Sequence, residues 1–398
     1  MKRILVLGSG KIGRGVIGSI FHEDGYELVF YDIATEFLKN LKEQGYYLVE
    51  RLLDNDEREI VKVDNFQVLS QGTDEELQQA LTEIDLVACC VYPGAFDSIC
   101  GHIAEAIKDR IERNGNILNV LLCVNTINSV GYFNEKIEKL LIGNEKALQY
   151  FKEKVGISQV LVSIGAMPSS EELIKQDAFA VTTNFVSGSL GIDEDTYLGE
   201  LELKYVHKEE KAQAKLIRKI FVANMKHCAT AYMGYVAGYE YLDECLMDVN
   251  IKSASMGAFM EAYEAVKLEY GFEDNEDKNW LKVSVKRANQ LTRDPISRVA
   301  ANVTEKISRE NRFIGPALLC IKHNIVPVYI ARGIASALFY QDKNDPRTLE
   351  MQEFIRMKGV AATIEKYCGL DPKQDQELIQ LIIKSYDSIL EQKQEAER

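Results

Sequence analysis

The chain has 398 residues, of which 46% are hydrophobic and 27% are charged, which is enough for two domains with sizeable cores. Its formal net charge is −14 at pH 7, so we expect neither nucleic acid nor an anionic membrane surface as a partner. Its eight cysteines are scattered without a C-x-x-C pair, no apolar stretch reaches ~18 residues, and a predicted strand begins within four residues of the N-terminus. We therefore expect a cytoplasmic protein with reduced thiols, no metal site, no membrane span and no signal peptide.

Short apolar runs alternate with helical patterns up to about residue 185. The predicted strands are 4–7, 28–31, 66–69, 86–91, 117–123, 160–163 and 179–183. The predicted helices between them include 12–21, 74–81, 96–113 and 135–141. Alternation of this kind predicts an α/β fold with a doubly wound, mostly parallel sheet.

A glycine loop in G-x-G-x-x-G spacing follows the first predicted strand, and Asp32 ends the second. Such a loop permits a tight turn, lets a diphosphate approach the backbone and allows the next helix to pack closely. The predicted dinucleotide contacts in this loop are Gly8, Ser9, Gly10, Lys11, Ile12 and Gly13. Lys11 either touches the diphosphate or is simply a solvated loop residue. The alternative for the whole loop is a glycine-rich turn in some other βαβ unit.

Asp32 lies 24 residues after Gly8, where an acid can bind both ribose hydroxyls. Its carboxylate would repel a 2′-phosphate, so the predicted cofactor is NAD rather than NADP. Tyr92 and Pro93 directly follow a predicted strand, and Asn125 follows another. Because ligands of doubly wound sheets bind at the carboxyl ends of the strands, both loops should face the cofactor.

The pattern changes near residues 187–200, which are rich in Gly, Ser and acids. We place a domain boundary there, which gives a dinucleotide-binding domain of residues 1–190 and a mainly helical substrate domain of residues 191–398. The predicted helices beyond this boundary are 211–232, 253–270, 280–291, 313–323, 328–339, 348–357 and 375–392.

Lys219, Asn224 and His227 lie on the first of these helices. At about 100° per residue, Asn224 lies about 140° and His227 about 80° from Lys219, so all three side chains can face one cleft. A neutral lysine could accept a hydroxyl proton during oxidation of an alcohol, while the amide and the imidazole hold the oxygen. The alternative is three solvated or capping groups on a lysine-rich helix.

Four segments together resemble the polyol-specific long-chain dehydrogenases, the mannitol dehydrogenase family: GSGKIGRGVIG, KIFVANMKHCATAYMGYVAG, ISRENRFIGPALLCIKHNI and GIASALFYQDKNDP. The resemblance implies an N-terminal Rossmann domain followed by a mainly α-helical domain. It also implies that Lys219 is the general base of a metal-independent oxidoreductase, with Asn224, His227 and Asn125 around the reacting oxygen. The reaction it implies is the NAD-dependent interconversion of mannitol 1-phosphate and fructose 6-phosphate.

The substrate side departs from the family pattern, since Val124 replaces an acid before Asn125 and the stretch after Arg298 lacks a proline and a second arginine. The candidate phosphate-binding residues are Arg298, Lys306, Arg309 and Arg312. The alternative is a solvated or salt-bridged helix face.

Three functions therefore stay open. The first is a polyol-phosphate dehydrogenase, acting as a monomer or homodimer on a polyol phosphate or sugar phosphate. The second has the same chemistry on an unphosphorylated polyol or a hexuronate. The third is a non-catalytic NAD(H)-binding sensor, which has no need of a proton acceptor such as Lys219.

Overall fold

The computed structural model describes residues 2–53, 57–69, 73–113, 115–167, 169–185, 190–201, 203–291 and 293–396. The chain forms two compact units, Met1–Lys215 and Leu216–Arg398. The division proposed from the sequence, at residues 190/191, falls within the strand Leu190–Asp193, which belongs to the first unit.

The strands of the first unit are β1 (Arg3–Leu7), β2 (Glu27–Tyr31), β3 (Tyr47–Leu52), β4 (Arg58–Val63), β5 (Phe66–Val68), β6 (Leu86–Cys89), β7 (Leu118–Leu122), β8 (Val155–Val162), β9 (Gly165–Met167), β10 (Val181–Asn184), β11 (Leu190–Asp193) and β12 (Val206–Glu209). Eight of them form the main sheet, in the order β12-β11-β8-β7-β6-β1-β2-β5. All neighbours in this sheet are parallel except β8 and β11. The run from β5 to β8 has the strand order of a Rossmann fold, with the order reversing between β1 and β6. The predicted doubly wound, mostly parallel sheet is confirmed.

Helices cover both faces of the main sheet, because its central strands are apolar on both sides. In β1, Ile4 and Val6 face one core, and Leu5 and Leu7 face the other. The α-helices of this unit are Ser19–Glu23, Thr35–Gln44, Asp74–Glu83, Phe96–Arg113, Ser129–Leu141, Glu145–Lys154 and Glu171–Gln176. A π-helix, Lys11–Gly18, precedes the first of them, and Pro93–Ala95 is a short 3₁₀ turn.

A second sheet of four strands, in the order β4-β3-β10-β9, was not predicted. The strand expected at 179–183 was assigned to the main sheet, but it forms β10 of this second sheet. The β3–β4 hairpin was missed because Glu50 and Arg51 are charged but buried within β3. Arg51 pairs with Glu23 at 2.5 Å and Glu50 with Arg58 at 3.2 Å. Both partners lie outside β3, so the pattern in β3 alone gives no strand signal.

The second unit is helical, as predicted. Its α-helices are Met225–Ala237, Leu242–Met247, Val249–Tyr270, Asp274–Ala288, Ile296–Ala300, Val303–Lys306, Ile314–Lys322, Val328–Ala337, Pro346–Thr363 and Gln376–Ala396. The helix Ala212–Arg218 runs into a π-helix, Lys219–Asn224, and a further π-helix spans Ile364–Cys368. Among the described residues, no helix combines the length and the apolar character that crossing a membrane requires.

Candidate active site

The glycine loop lies at the point where the order of the main sheet reverses. Gly8 follows β1 with φ +89°, and its N–H donates to the Tyr31 carbonyl at 2.9 Å. A Cβ atom at Gly8 would lie 2.8 Å from the carbonyl oxygen of Cys90, which directly follows β6. A left-handed backbone and this close approach both require glycine. The loop is thus fixed at the position where doubly wound folds bind dinucleotides.

The other two glycines of the loop differ in what surrounds them. A Cβ at Gly13 would lie 2.0 Å from the Gly8 carbonyl oxygen, so only glycine lets this helix pack against the loop. No described atom lies within 4 Å of a Cβ at Gly10, so its backbone is open to a ligand. Lys11 is exposed and Ile12 is half-buried at the start of the π-helix. The arrangement suits a phosphate at an open helix N-terminus.

Asp32 is tied to the glycine loop by Ser9. The Ser9 N–H and hydroxyl donate to one Asp32 oxygen at 2.7 and 3.0 Å, and the Ala34 N–H donates to the other at 3.0 Å. Ser9 is 1% exposed, so it holds Asp32 rather than facing solvent. A carboxylate can accept about four hydrogen bonds, so the oxygen that accepts from Ala34 retains capacity for a ribose hydroxyl.

Arg14, which the sequence interpretation missed, is hydrogen-bonded to the backbone of the same loop. Its guanidinium is buried, donates to the Ser9 carbonyl and to the Phe179 carbonyl at 3.3 Å, and lies over the Phe37 ring. Burial lowers the pKa of Arg14, with Tyr47 and Asp177 acting against this shift. Its place directly after Gly13 is the only signal in the sequence, since a charged side chain is normally expected at the surface.

Three other predicted residues lie after strands on the same edge of the main sheet. Tyr92, which is 89% exposed, and the exposed Pro93 follow β6. Asn125 is exposed and follows β7. Gln159 on β8 holds the backbone before Asn125, since its amide donates to the Leu122 and Val124 carbonyls at 3.1 and 3.3 Å.

Lys219, Asn224 and His227 lie in the second unit, at the start of its first long helical segment. Lys219 and Asn224 are the first and last residues of the π-helix, and His227 follows in Met225–Ala237. A π-helix turns less per residue than an α-helix, because its hydrogen bonds span five residues. Lys219 and Asn224 are therefore closer to one face than the about 140° expected for an α-helix. Single π turns are frequent at functional sites.

Lys219 is half-buried, and desolvation lowers the pKa of its amine to about 8. An amine with this pKa has a substantial neutral fraction near neutral pH, as a general base requires. Lys226 also has a pKa lowered to about 8, by burial and by Lys252, but its Nζ donates to the Ala288 carbonyl at the end of another helix. The two lysines thus have similar pKa values but different surroundings.

His227 is exposed and contacts a carboxylate that the sequence interpretation did not single out. Its Nε2 lies 3.6 Å from Oδ2 of Asp294. Arg298 donates to the same carboxylate from Nε, at 2.6 Å, and from Nη2. Arg298, predicted to bind phosphate, is therefore paired with Asp294 beside His227. The signal was an acid four residues before Arg298, a common helical ion-pair spacing.

The other predicted cations divide into two groups. Arg309 donates to both oxygens of Asp375, at 2.6 and 3.3 Å, so its charge is paired. Lys306 donates to the Val299 carbonyl at 2.6 Å, and burial, with a contribution from Arg312, lowers its pKa. Arg312 Nη1 lies 3.5 Å from the Cys228 sulfur. Neither Lys306 nor Arg312 pairs with any carboxylate of the described residues.

Two packing contacts explain why the segments that carry Arg298 and Arg312 lie beside the helical segment that carries Lys219 and His227. The Tyr232 hydroxyl donates to the Ala300 carbonyl at 2.9 Å, which anchors the segment after Asp294 to Met225–Ala237. A Cβ at Gly315 would lie 2.3 Å from the Phe221 ring, so glycine lets the helix after Arg312 approach the π-helix.

In the described part of the chain, no group of three or more His, Cys, Asp or Glu residues is arranged to hold a metal ion.

Comparison with protein-family models gives one family for both units. The mannitol dehydrogenase Rossmann domain matches residues 2–186, and the mannitol dehydrogenase C-terminal domain matches residues 213–390. The chain belongs to the mannitol dehydrogenase family. Its fold agrees with that family across the chain. The mannitol 2-dehydrogenase of Pseudomonas fluorescens, solved as a ternary complex with NAD and D-mannitol, has a TM-score of 0.75 at 16% identity and covers 98% of this chain and 92% of that one.

Curated relatives named mannitol-1-phosphate 5-dehydrogenase are similar to the chain over almost its whole length. The enzyme of Thermoanaerobacter pseudethanolicus is 28% identical over 393 residues, covering 98% of this chain and 99% of that protein. The enzyme of Bacillus pumilus is 30% identical over 391 residues, covering 96% of this chain and 99% of that protein.

Proposed function

We propose that this member of the mannitol dehydrogenase family is an NAD-dependent oxidoreductase that interconverts D-mannitol 1-phosphate and D-fructose 6-phosphate. Curated relatives named for that activity match nearly the whole chain. The observation that carries the proposal is Lys219, an amine that burial holds at a pKa of about 8 on a π-helix ending at Asn224. A family member without turnover would have no use for such a proton acceptor, so the sensor alternative is disfavoured.

The residues of the first unit fit NAD. The open backbone at Gly10 and the N-terminus of the helix at Lys11 suit the diphosphate, and Asp32 suits the ribose hydroxyls. The Asp32 carboxylate would repel a 2′-phosphate, which favours NAD over NADP. When bound there, NAD would supply the hydride acceptor for polyol oxidation and, as NADH, the hydride donor for the reverse reaction.

The proton is handled by the second unit. The neutral Lys219 amine accepts the proton of the substrate hydroxyl as the carbonyl forms, and the ammonium returns it in the reverse reaction. The Asn224 amide donates to the substrate oxygen as it gains negative charge, and His227 contacts the same oxygen. A lysine base makes a metal unnecessary for this step, so we expect activity in the presence of EDTA.

The substrate phosphate is bound by Lys306 and Arg312, whose charges no described carboxylate neutralises. Arginine suits this role because its planar guanidinium can donate two parallel hydrogen bonds to a phosphate. Arg298 and Arg309 are less suited, since Asp294 and Asp375 already accept from them.

The direction of the pH dependence follows from the Lys219 pKa. Alcohol oxidation needs the neutral amine, so kcat for oxidation is expected to rise with pH through about 8 and then level off. Carbonyl reduction needs the ammonium form and is expected to fall through the same pH. The pH profile of kcat in both directions measures this. A Lys226→Met variant is expected to keep the pH transition in kcat, because the Lys226 amine is bound to the Ala288 carbonyl. If the transition disappears in that variant, the titrating group is Lys226 and not Lys219.

An Asp32→Ser variant is expected to raise the KM for NAD by roughly 10- to 100-fold, because each hydrogen bond to a charged group contributes about 1.5–3 kcal/mol. The preference for NAD over NADP is also expected to fall, since the repulsion of a 2′-phosphate disappears. Steady-state kinetics with both nucleotides measure these effects. An unchanged ratio of the two specificity constants would remove Asp32 from ribose recognition.

The second candidate is the same chemistry on an unphosphorylated polyol or a hexuronate. The pairing of Arg298 and Arg309 with carboxylates favours it, because only two of four predicted phosphate-binding cations stay unpaired by described acids. NAD-linked oxidation of mannitol 1-phosphate, free mannitol and a hexonate, with EDTA present, separates the candidates. Turnover of free mannitol without turnover of its phosphate ester would replace our proposal with this one.

A further inference from the structure

Backbone hydrogen bonds and a pair with Arg298 hold Asp294 in place independently of its contact with His227. Its backbone carbonyl accepts from the Leu242 N–H at 3.0 Å, and the nearby Ile296 N–H donates to the Glu240 carbonyl at 2.9 Å. Its carboxylate accepts from Nε and Nη2 of Arg298, a bidentate pair. Asp294 is 9% exposed, whereas the His227 side chain is 49% exposed. The acid is therefore held by its neighbours, whereas half of the imidazole side chain is exposed.

The charge state of Asp294 is also fixed. Burial would raise its pKa, but hydrogen bonds from His227 and Arg298 outweigh burial and hold the pKa far below the ordinary value of 3.8. The carboxylate is thus ionised over the whole range in which the enzyme would work. Beyond this pair, Lys306 interacts electrostatically with Arg298, Arg312 and Glu305, and Arg312 Nη1 lies 3.5 Å from the Cys228 sulfur.

We propose that Asp294, whose carboxylate is paired with Arg298, is a positioning residue for His227. It orients the imidazole by accepting the N–H of Nε2, which leaves Nδ1 facing the substrate. This inference rests on the proposed function, because it assigns His227 a partner in that same reaction. Nε2 lies 3.6 Å from Oδ2, a separation that a small rotation of the exposed ring shortens to a hydrogen bond once substrate binds.

The chemical consequence concerns the two nitrogens of His227. A neutral imidazole carries its proton on one nitrogen, and a carboxylate partner decides which. With Nε2–H directed at Asp294, a neutral Nδ1 accepts from a substrate hydroxyl other than the reacting one, whose single proton goes to Lys219, and a charged ring donates from Nδ1 to the reacting oxygen. Without Asp294, both tautomers and several ring orientations become accessible. Arg298 then acts through Asp294 and not as a phosphate ligand.

The test is a double-mutant cycle with Asp294→Asn and His227→Asn on the full-length chain. We expect Asp294→Asn to lower kcat by about 10- to 100-fold, by analogy with the loss seen when the carboxylate partner of a metal-binding histidine is removed. We expect the KM for NAD to stay unchanged, since the nucleotide-binding residues lie in the first unit. In the His227→Asn background, Asp294→Asn is expected to have no further effect on kcat, because a positioning residue acts only through the group it positions.

Asp345→Asn is the matched control. Arg347 contacts Asp345 with the same two nitrogens, at 2.9 and 3.0 Å, and Asp345 is similarly shielded, but this pair does not touch His227. We expect its kcat to equal that of the wild type. If Asp294→Asn does not fold, as judged by thermal unfolding and NADH binding, Asp294→Glu replaces it, since glutamate keeps the charge but moves the carboxylate relative to the ring.

The outcomes separate this inference from the proposed function. Additive losses in the cycle, or a full kcat in Asp294→Asn while His227→Asn is impaired, would overturn the inference alone. A full kcat in His227→Asn would instead remove His227 from the reaction proposed above, and the inference would fall with it. An equal loss of kcat in Asp345→Asn would show that the effect of Asp294→Asn is merely structural, and this result would also overturn the inference.

Discussion

Replacement of Lys219 by methionine is expected to lower kcat for polyol oxidation by about 10²- to 10⁴-fold, the usual contribution of a general base. Methionine keeps the length of the side chain but cannot accept a proton. NADH binding is expected to persist, since the glycine loop and Asp32 are unchanged. Stopped turnover with intact NADH fluorescence would be the signature of a lost base, whereas full turnover would exclude Lys219 from proton transfer.

The same variant is expected to be more stable at pH 7. Burial holds the pKa of Lys219 at about 8, below its ordinary value of 10.5, so the folded chain must bury a charged amine at neutral pH. Because the unfolded chain binds more protons between these two values, wild-type stability rises with pH from about 8 towards 10.5. The gain in unfolding temperature from Lys219→Met should therefore shrink over this range. Lys226→Met is the control, since it also removes a buried lysine but should retain kcat.

A Gly13→Ala variant is expected to weaken NADH binding by about 100-fold or more, since displacements of about 1 Å in a binding site can have effects of this size. The added methyl group would lie 2.0 Å from the Gly8 carbonyl oxygen, so the helix or the loop must move. Overpacking of this kind also costs roughly 1–3 kcal/mol of stability. Fluorescence titration with NADH and thermal unfolding measure the two effects.

Gly101→Ala is the control for Gly13→Ala, because no described atom lies within 4 Å of its Cβ position. Gly101 lies inside the helix Phe96–Arg113, where alanine should add about 0.5–1 kcal/mol of stability. NADH affinity should be unchanged in this variant. Wild-type affinity in Gly13→Ala would mean that the loop does not form the nucleotide site.

Much of the first unit could be predicted because its signals are local. The strand at Ile4–Leu7, the glycine spacing and Asp32 lie within one βαβ unit, so a short stretch specifies both the elements and their contacts. The doubly wound, mostly parallel character of the main sheet followed from the alternation of strands and helices. The π-helix at Lys219 was not predicted, because its hydrophobic pattern is compatible with an ordinary α-helix.

Buried charged side chains account for most of what the sequence interpretation missed. Arg14, Arg51 and Asp294 are all buried, and each has partners whose proximity depends on the tertiary fold or, for Asp294, on a helix not predicted there. A charged residue in a sequence pattern normally indicates a surface position. Only the folded chain reveals which groups pair with a buried charge.

The predicted cation cluster illustrates the same difficulty on the substrate side. Four basic residues within a short stretch look equivalent in the sequence, but Asp294 and Asp375 pair with two of them. Lys306 and Arg312 are left to supply the positive charge. The identity of the substrate therefore depends on pairings that no spacing rule gives.

The most direct test of the proposed reaction is the specificity constant for NADH-linked reduction of fructose 6-phosphate, measured beside those for fructose and fructuronate. We predict that fructose 6-phosphate exceeds both by at least about 100-fold, because two charge-assisted contacts to phosphate contribute about 1.5–3 kcal/mol each. A higher specificity constant for fructose or fructuronate would contradict the assignment of a phosphate ester as substrate.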